Sequence, residues 1–519
     1  MDSFEKNGVF FLPENPSKEI TGILQFSPNK RSCLKLVGEF ADFQALNEKL
    51  ENSIEYPIIN GWLIGKSGSS KEVTLLNSRR KREFKTGIQT TEVYPQIIIH
   101  GHHFSSIEEV LLPGIVVHFE HLEEWVNKPN VEIRGIPDSQ NQNSYTEVII
   151  KQNIQPTINI GQIVGFTISI VDTPWVTPNK MQLYSFFGVN TRNIELNERK
   201  KILIKSDSPK PLKDFLEAIH LLQEFLTFAC GQVILPDFIE SGYLGKTTEY
   251  DSEEFSWYMH IMRDQVTEKT NGEELNPPKI IKKEVDKIFP LHINFQTTSS
   301  KLQDSQFEEN SILLRFTHIE ENPEIVLASW KNFYDQSKPI LEIYMRIFYT
   351  PMRHIHDVFL SLTQAIEGFH RIRCSGEYCD KATFQTIKDS LKETFQEKLI
   401  EHGVTEDFHD SLLNKVNYWN EFSLKERLED MFRDQSFLSC LPSNFFEDEV
   451  QQDKFAKVIR DTRGHLTHPS NPSKTNNVAS NTELGRLNKQ LKIILEISFL
   501  KELKIEDLVI KKIIEERYV

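Results

Sequence analysis

The chain has 519 residues, of which 39% are hydrophobic and 26% charged, with a formal net charge of −15. That length holds about two to four domains with their own cores. The acidic balance excludes a protein that coats nucleic acid indiscriminately, because such proteins neutralise phosphate with a basic surface. RNA would be admitted only at local basic clusters.

No apolar run reaches the roughly 18 residues that a membrane-spanning helix needs. The start, Met1-Asp2-Ser3-Phe4-Glu5, has no basic stretch leading into an apolar one, so no secretion signal is expected. Five scattered cysteines form no disulfide framework. The expectation is a cytoplasmic protein without a membrane partner.

The first 130 or so residues read as short strands separated by turn residues. They include Phe10-Phe11-Leu12-Pro13, Gly22 to Phe26, Leu34 to Gly38, Ile58 to Leu63, Glu72 to Leu76 and Val93 to Ile99. Their period-2 alternation and close spacing predict a sandwich or barrel. His100 and His102, with His118 and His121 beyond, lack a complete ligand set, so a solvated strand end is expected rather than a metal site. Trp125 is expected to anchor a core.

Polar, Pro and Gly residues from Lys128 to Asn143 predict a long loop or subdomain boundary. Strand-like segments follow at Glu147 to Ile150, Gln162 to Ile170 and Lys201 to Ile204. At Pro211 the period switches to helical, with Leu212, Phe215, Leu216, Ile219, Leu222, Phe225 and Leu226 on one face. Asp251 to Glu254 and Thr267 to Pro278 read as exposed, and Ile280 to Phe295 as further strands. Residues 131–322 are thus a second, mixed β-rich part of the N-terminal region.

Residues 323–519 are predicted to be helical throughout. Trp330 to Ile347 fit one long helix broken at Pro351, and Val358 to Arg371 make another. His370, Cys374 and Cys379 have tolerable zinc spacing but no identifiable fourth ligand, so a structural loop is expected. A helix from about Phe384 to Leu399 follows. Ser423-Leu424-Lys425-Glu426 has the form of a capping box. The last predicted helix carries Leu484, Leu487, Leu491, Ile494, Leu495 and Leu500, enough to close a bundle and leave a strip for a second protomer.

The chemistry concentrates in Arg463-Gly464-His465-Leu466-Thr467-His468-Pro469-Ser470. Phe455, Val458, Ile459 and Thr462 run a helix into it. Gly464 is expected to end that helix through a positive φ, and Pro469 to keep it from resuming. Arg463 and His468 are separated by four residues, as are Arg460 and His465 one turn earlier. An imidazole exchanges protons near neutral pH. A guanidinium holds phosphate through parallel hydrogen bonds and stabilises charge on a phosphorane. Such a pair can cleave RNA at its 2′-OH with no metal and no cofactor. The alternative is a polar helix end. Arg460, Arg463, Lys474, Arg486 and Lys489 cluster around the motif, as a phosphate path or a solvated face, with the polar loop Asn471 to Asn477 beside them.

The stretch Thr462 to His468 resembles the Arg-Asn-x-x-x-His signature of the HEPN superfamily, especially its ApeA-like members. Arg463 and His468 fall on the signature positions, Gly464 replaces the usual Asn, and His465 takes an aromatic slot. The strands around Phe11, Gly22 and Leu34 resemble the opening of the ApeA N-terminal domain. The helix through Glu367 resembles the first core helix of ApeA-like HEPN domains, which implies that Glu367 orients the catalytic Arg.

The resemblance implies an α+β protein: a β-rich, sandwich- or barrel-like N-terminal half with an ApeA-like domain at 1–130, then an all-α HEPN bundle. It implies an anti-phage endoribonuclease that is at least a homodimer, cuts RNA (tRNA being the candidate) and answers a phage-encoded trigger. Arg463 and His468 would be catalytic. Arg460, His465, Thr467 and Glu367 would support them or bind RNA. The alternative is a non-catalytic RNA- or protein-binding oligomerisation module, and a ligand-binding β-domain with a helical oligomerisation domain is a third reading.

Overall fold

The computed structural model describes residues 4–27, 30–40, 55–65, 70–82, 90–128, 131–137, 145–152, 157–173, 199–250, 282–293, 311–350, 354–374, 376–402, 405–468 and 477–518. The expectations for Asp251 to Glu254, Thr267 to Pro278 and Asn471 to Asn476 lie outside those residues. The chain forms two compact units. One comprises Met1–Glu123, Lys128–Gln223 and Leu235–Gln303; the other comprises Glu124–Asn127, Glu224–Ile234 and Asp304–Val519.

The first unit is built on antiparallel strands: β1 (Phe4–Leu12), β2 (Asn15–Ser27), β3 (Lys30–Val37), β4 (Glu55–Ile64), β5 (Ser70–Arg82), β6 (Thr90–Tyr94) and β7 (Ile97–His100). Their order is β5-β4-β1-β2-β3-β6, and β6 pairs back onto β5 from Arg79↔Tyr94 to Arg82↔Thr91, closing a barrel. Closure removes the exposed edges that an open sheet would leave. Alternate residues face inward, so Phe10, Leu24, Leu34, Leu36, Ile59, Leu63, Val73, Leu75 and Val93 form one core. Phe10 fills the barrel against Gly61, where an added Cβ would lie 2.4 Å from its ring.

The first half of β5 also pairs with β7, and from there the sheet continues. Its further members are β8 (Leu111–Phe119), β11 (Ile158–Ile163), β12 (Phe166–Thr173), β13 (Arg199–Pro211), β14 (Pro236–Tyr250) and β15 (Lys282–Ile293), in the order β7-β15-β14-β8-β13-β12-β11. A separate ribbon, β9 (Val131–Pro137) with β10 (Tyr145–Gln152), replaces part of the loop expected from Lys128 to Asn143. Its Gly135 and Pro137 disguise the strand in the sequence. His100 ends β7; His103 Nε2 is bonded to Gly61 O at 2.8 Å, and His102 lies 3.9 Å from Glu72.

Eleven helices occur among the described residues. α1 (Leu122–Val126) and α2 (Leu212–Cys230) precede nine more, namely α3 (Pro323–Tyr349), α4 (Ile355–Arg373), α5 (Lys381–Glu401), α6 (Glu406–Val416), α7 (Leu424–Arg433), α8 (Gln435–Ser439), α9 (Glu449–Thr467), α10 (Asn481–Glu502) and α11 (Asp507–Tyr518). The fold is therefore α+β. No described helix is long and apolar enough to cross a membrane.

The helical unit has an aromatic centre. Phe228 stacks on Trp330 at 5.7 Å, and Phe333, Tyr344 and Phe369 surround Phe499 at 5.0, 5.2 and 5.7 Å. Trp125, 1% exposed, donates its indole N–H to Leu314 O at 2.8 Å within this unit. Pro339 removes a backbone donor inside α3 and Ser337 leaves helical geometry, kinking the helix there. Ser423 caps α7 and Ser480 caps α10, each in a capping box with the Glu three residues on.

Candidate active site

Four segments of the helical unit gather charge around Arg463. α9 carries Arg460, Arg463, His465 and Thr467, with His468 as its C-cap. α4 contributes Glu367, His370 and Arg371; α7 contributes Arg427 and Asp430. Glu421 comes from the short stretch ahead of α7.

Gly464 does not end α9. It has no positive φ, and the helix runs one turn further, to Thr467. The stop is Pro469, which bars αR geometry from the residue before it; His468 adopts φ −136 and ψ 74 while its N–H still donates to Gly464 O at 3.0 Å. A Cβ at Gly464 would meet nothing within 4 Å. Gly464→Ala is therefore expected to raise stability by about 0.5–1 kcal/mol through helix propensity, read as a shift in denaturation midpoint. An unchanged or lower midpoint would show that this position needs glycine for another reason.

Arg463 Nη2 pairs with Glu367 Oε2 at 2.9 Å, and their side chains are 39% and 19% exposed. This contact spans 96 residues of sequence (463 − 367) and fixes one edge of the guanidinium, leaving its other N–H groups for a ligand. His468 is exposed at the helix terminus. His465 is half-buried. Thr467 donates its hydroxyl back to Arg463 O at 2.9 Å, so it serves the helix end. Arg460 pairs with its neighbour Asp461 at 2.7 Å, and Asp461 also accepts from Asn477 at 3.1 Å. Thr462 is buried and accepts from the Ala479 N–H at 3.0 Å, tying the chain after the motif to α9.

Behind Glu367 lies a network that sequence spacing does not reveal. Arg371 Nη2 donates to Glu421 at 2.7 Å and sits 3.9 Å from Glu367. Arg427 is fully buried, 3.6 Å from Glu421, and donates to His370 Nδ1 at 3.1 Å. It enters over Gly376, where an added Cβ would lie 2.4 Å from its Nη1. Burial pulls the Arg427 guanidinium below its usual range, and Arg371 adds to this, with Glu367 and Glu421 opposing.

His370 is the neutral partner in this network. Because Arg427 donates to Nδ1, the ring proton sits on Nε2 and is given to Asp430 at 2.9 Å. Burial lowers the imidazole's pKa from 6.5; Arg427 also lowers it, while Asp430 opposes. Cys374 Sγ joins His370 and Asp430, the three ligand atoms lying within 4.8 Å of one another. Both imidazole nitrogens are already engaged, however, and a buried guanidinium adjoins them, so the donor set does not fit a cation. Cys379 stands apart from it, donating its thiol to Asn420 at 3.3 Å.

The sign of the His370 shift sets a pH dependence. Its folded pKa lies below the unfolded 6.5, so the unfolded chain binds more protons as pH drops through 6.5. Stability that is complete above that pH is then lost towards the folded pKa. His102 and His318 are lowered by burial in the same direction. In His370→Gln the amide can accept from Arg427 and donate to Asp430. The acid-side fall in denaturation free energy is expected to flatten by up to about 1.4 kcal/mol per pH unit. An unchanged slope would contradict the neutral assignment.

Two known families match the chain. ApeA N-terminal domain 1 matches residues 5–330, and Apea-like HEPN matches residues 360–507. No match was found among curated proteins or solved structures. With the first description alone spanning more than half the chain and the second covering α4 to the start of α11, the protein belongs to the ApeA family and carries an Apea-like HEPN domain.

Proposed function

We propose that the protein is a metal-independent endoribonuclease of an anti-phage, abortive-infection system, cutting RNA (tRNA being the candidate substrate) at Arg463 and His468. The observation that carries this reading is the 2.9 Å clamp of Arg463 by Glu367, which orients a guanidinium at the end of α9 yet leaves it 39% exposed. HEPN domains are generally RNase modules, and Arg463 and His468 both lie within the residues that match the Apea-like HEPN description.

In the reaction, His468 accepts the proton of a ribose 2′-OH as its oxygen bonds to phosphorus. The P–O5′ bond breaks, the 5′-oxygen takes up a proton, and a 2′,3′-cyclic phosphate remains. Arg463 binds the scissile phosphate and stabilises the charge that builds on its oxygens. Arg460 and His465 form the alternative register. The working assembly is at least a homodimer in the cytoplasm, with a phage-encoded trigger acting through the β-rich half. The second reading, a non-catalytic RNA- or protein-binding module, is favoured by Gly464 standing where the signature has Asn. Cell growth and total-RNA integrity, with and without phage, for wild type and His468→Ala separate the two. Breakage and protection that both vanish in the variant support the nuclease; protection that persists in a folded variant rules out catalysis by this histidine.

A further inference from the structure

Glu367 serves two cations. Its Oε2 meets Arg463 at 2.9 Å, and its Oε1 lies 3.9 Å from Arg371, one turn along α4. A carboxylate between two guanidiniums divides its attraction, and the nearer one takes the larger share. Arg371 is kept the farther of the two by Glu421, which accepts from it at 2.7 Å.

Glu421 is itself fixed. It lies at the root of the α5–α6 hairpin, in an antiparallel bridge with Glu377. On one side Asn420 accepts from the Cys379 N–H at 3.0 Å; on the other, Phe422 N–H donates to Gly376 O at 2.7 Å. Buried Arg427 stands 3.6 Å behind the carboxylate and is anchored by His370, which is held in turn by Asp430.

We propose that Glu421 is a positioning residue for the site: by holding Arg371 away, it reserves Glu367 for Arg463 and so sets the orientation of the phosphate-binding guanidinium. Glu421 touches no substrate. Its effect on turnover rests on the nuclease reading, whereas its effect on Arg463 does not. Without the Glu421 charge, Arg371 closes on Glu367 and Arg463 loosens.

Two readouts on the full-length protein separate those statements. The first is the rate at which phenylglyoxal, an arginine-selective dicarbonyl, modifies Arg463, followed by peptide mass spectrometry on folded protein. Glu421→Gln is expected to raise that rate severalfold, as Glu367→Gln does directly. Adding Arg371→Met to Glu421→Gln returns the rate to the wild-type value, because the competing cation is gone. Glu421→Asp, which keeps the charge, stays near wild type and guards against misfolding of the glutamine variant.

The second readout is RNA cleavage. Glu421→Gln is expected to lower kcat about tenfold with little change in KM, as befits a misplaced catalytic group, and the Arg371→Met double variant to restore it. An Arg463 modification rate that does not respond to Glu421→Gln, or a rise that Arg371→Met fails to suppress, overturns the proposal. If wild type cleaves no RNA, the nuclease reading fails while the modification rates still decide the role of Glu421.

Discussion

Replacing His468 with alanine is expected to lower RNA cleavage by about a hundred- to ten-thousand-fold, the usual contribution of a positioned general acid or base. The fold should not change. His468 is an exposed C-cap, and the backbone bond from its N–H to Gly464 O does not depend on the side chain. Loss of activity at an unaltered melting temperature therefore reports on chemistry.

Arg463→Ala is less clean, because it also leaves the Glu367 carboxylate, 19% exposed, without its 2.9 Å partner. Arg463→Lys keeps a cation but cannot present a fork to phosphate, so a large loss with lysine points to oriented, bidentate contact. If His468→Ala cleaves at the wild-type rate, the alternative register of Arg460 and His465 is the next to examine. In that register Arg460 pairs with its chain neighbour Asp461 at 2.7 Å.

The legible part of the fold was local. Period-2 alternation reported the strands of the first hundred residues, because each needs only its own inward residues to be apolar. Which strands close the ring depends on β5 meeting β6, a choice that register and chain geometry make and alternation does not. The helical half gave its elements through i, i+3, i+4 spacing and through the Ser423 capping box, both written within a few residues. Gly464 misled for the same local reason. Glycine costs only about 1 kcal/mol in a helix, less than the turn of backbone hydrogen bonds that carries α9 on to Thr467.

The candidate site was legible as a motif and not as a site. The spacing of Arg463 and His468 is equally that of a polar helix end, and it is the resemblance to a family signature that singles them out, as it does Glu367. Arg371, Glu421 and Arg427 are ordinary charged residues in a chain that is 26% charged. Nothing local separates them from solvated neighbours; only the packing of α4 against α7 and α9 does. α11 lies within the stretch expected to be helical but is not set apart from α10 in that expectation; it is a helix of its own, with Ile510, Ile513 and Ile514 buried.

That last helix carries the largest expected effect on stability. Glu496 of α10 is fully buried, yet both of its oxygens are satisfied: Tyr344 donates to Oε1 at 2.8 Å and Tyr518 to Oε2 at 2.7 Å. Two cations face it, Arg517 at 3.6 Å and Lys492 at 3.8 Å. Burial, with Glu496 adding to it, pushes the phenols of Tyr344 and Tyr518 well above their ordinary range, so both remain donors. Burial opposes the charge on Arg517, but Glu496 outweighs it and holds its pKa up.

Removing the carboxylate leaves Arg517, its side chain 7% exposed, as a charge without compensation. Breaking a buried pair in this way costs about 3–5 kcal/mol, whereas replacing both partners by apolar groups costs far less. Glu496→Ala is therefore expected to destabilise the protein by that amount in chemical denaturation, and Glu496→Leu with Arg517→Met to recover only part of it, because the Tyr344 and Tyr518 hydroxyls still lack their acceptor. A loss below about 1 kcal/mol for the alanine variant would mean that water or another group takes over the charge, contrary to the packing of α11 on α10. The same arithmetic explains why a short terminal helix stays docked: Tyr518 and Arg517 meet a carboxylate whose burial is tolerable only while they are there.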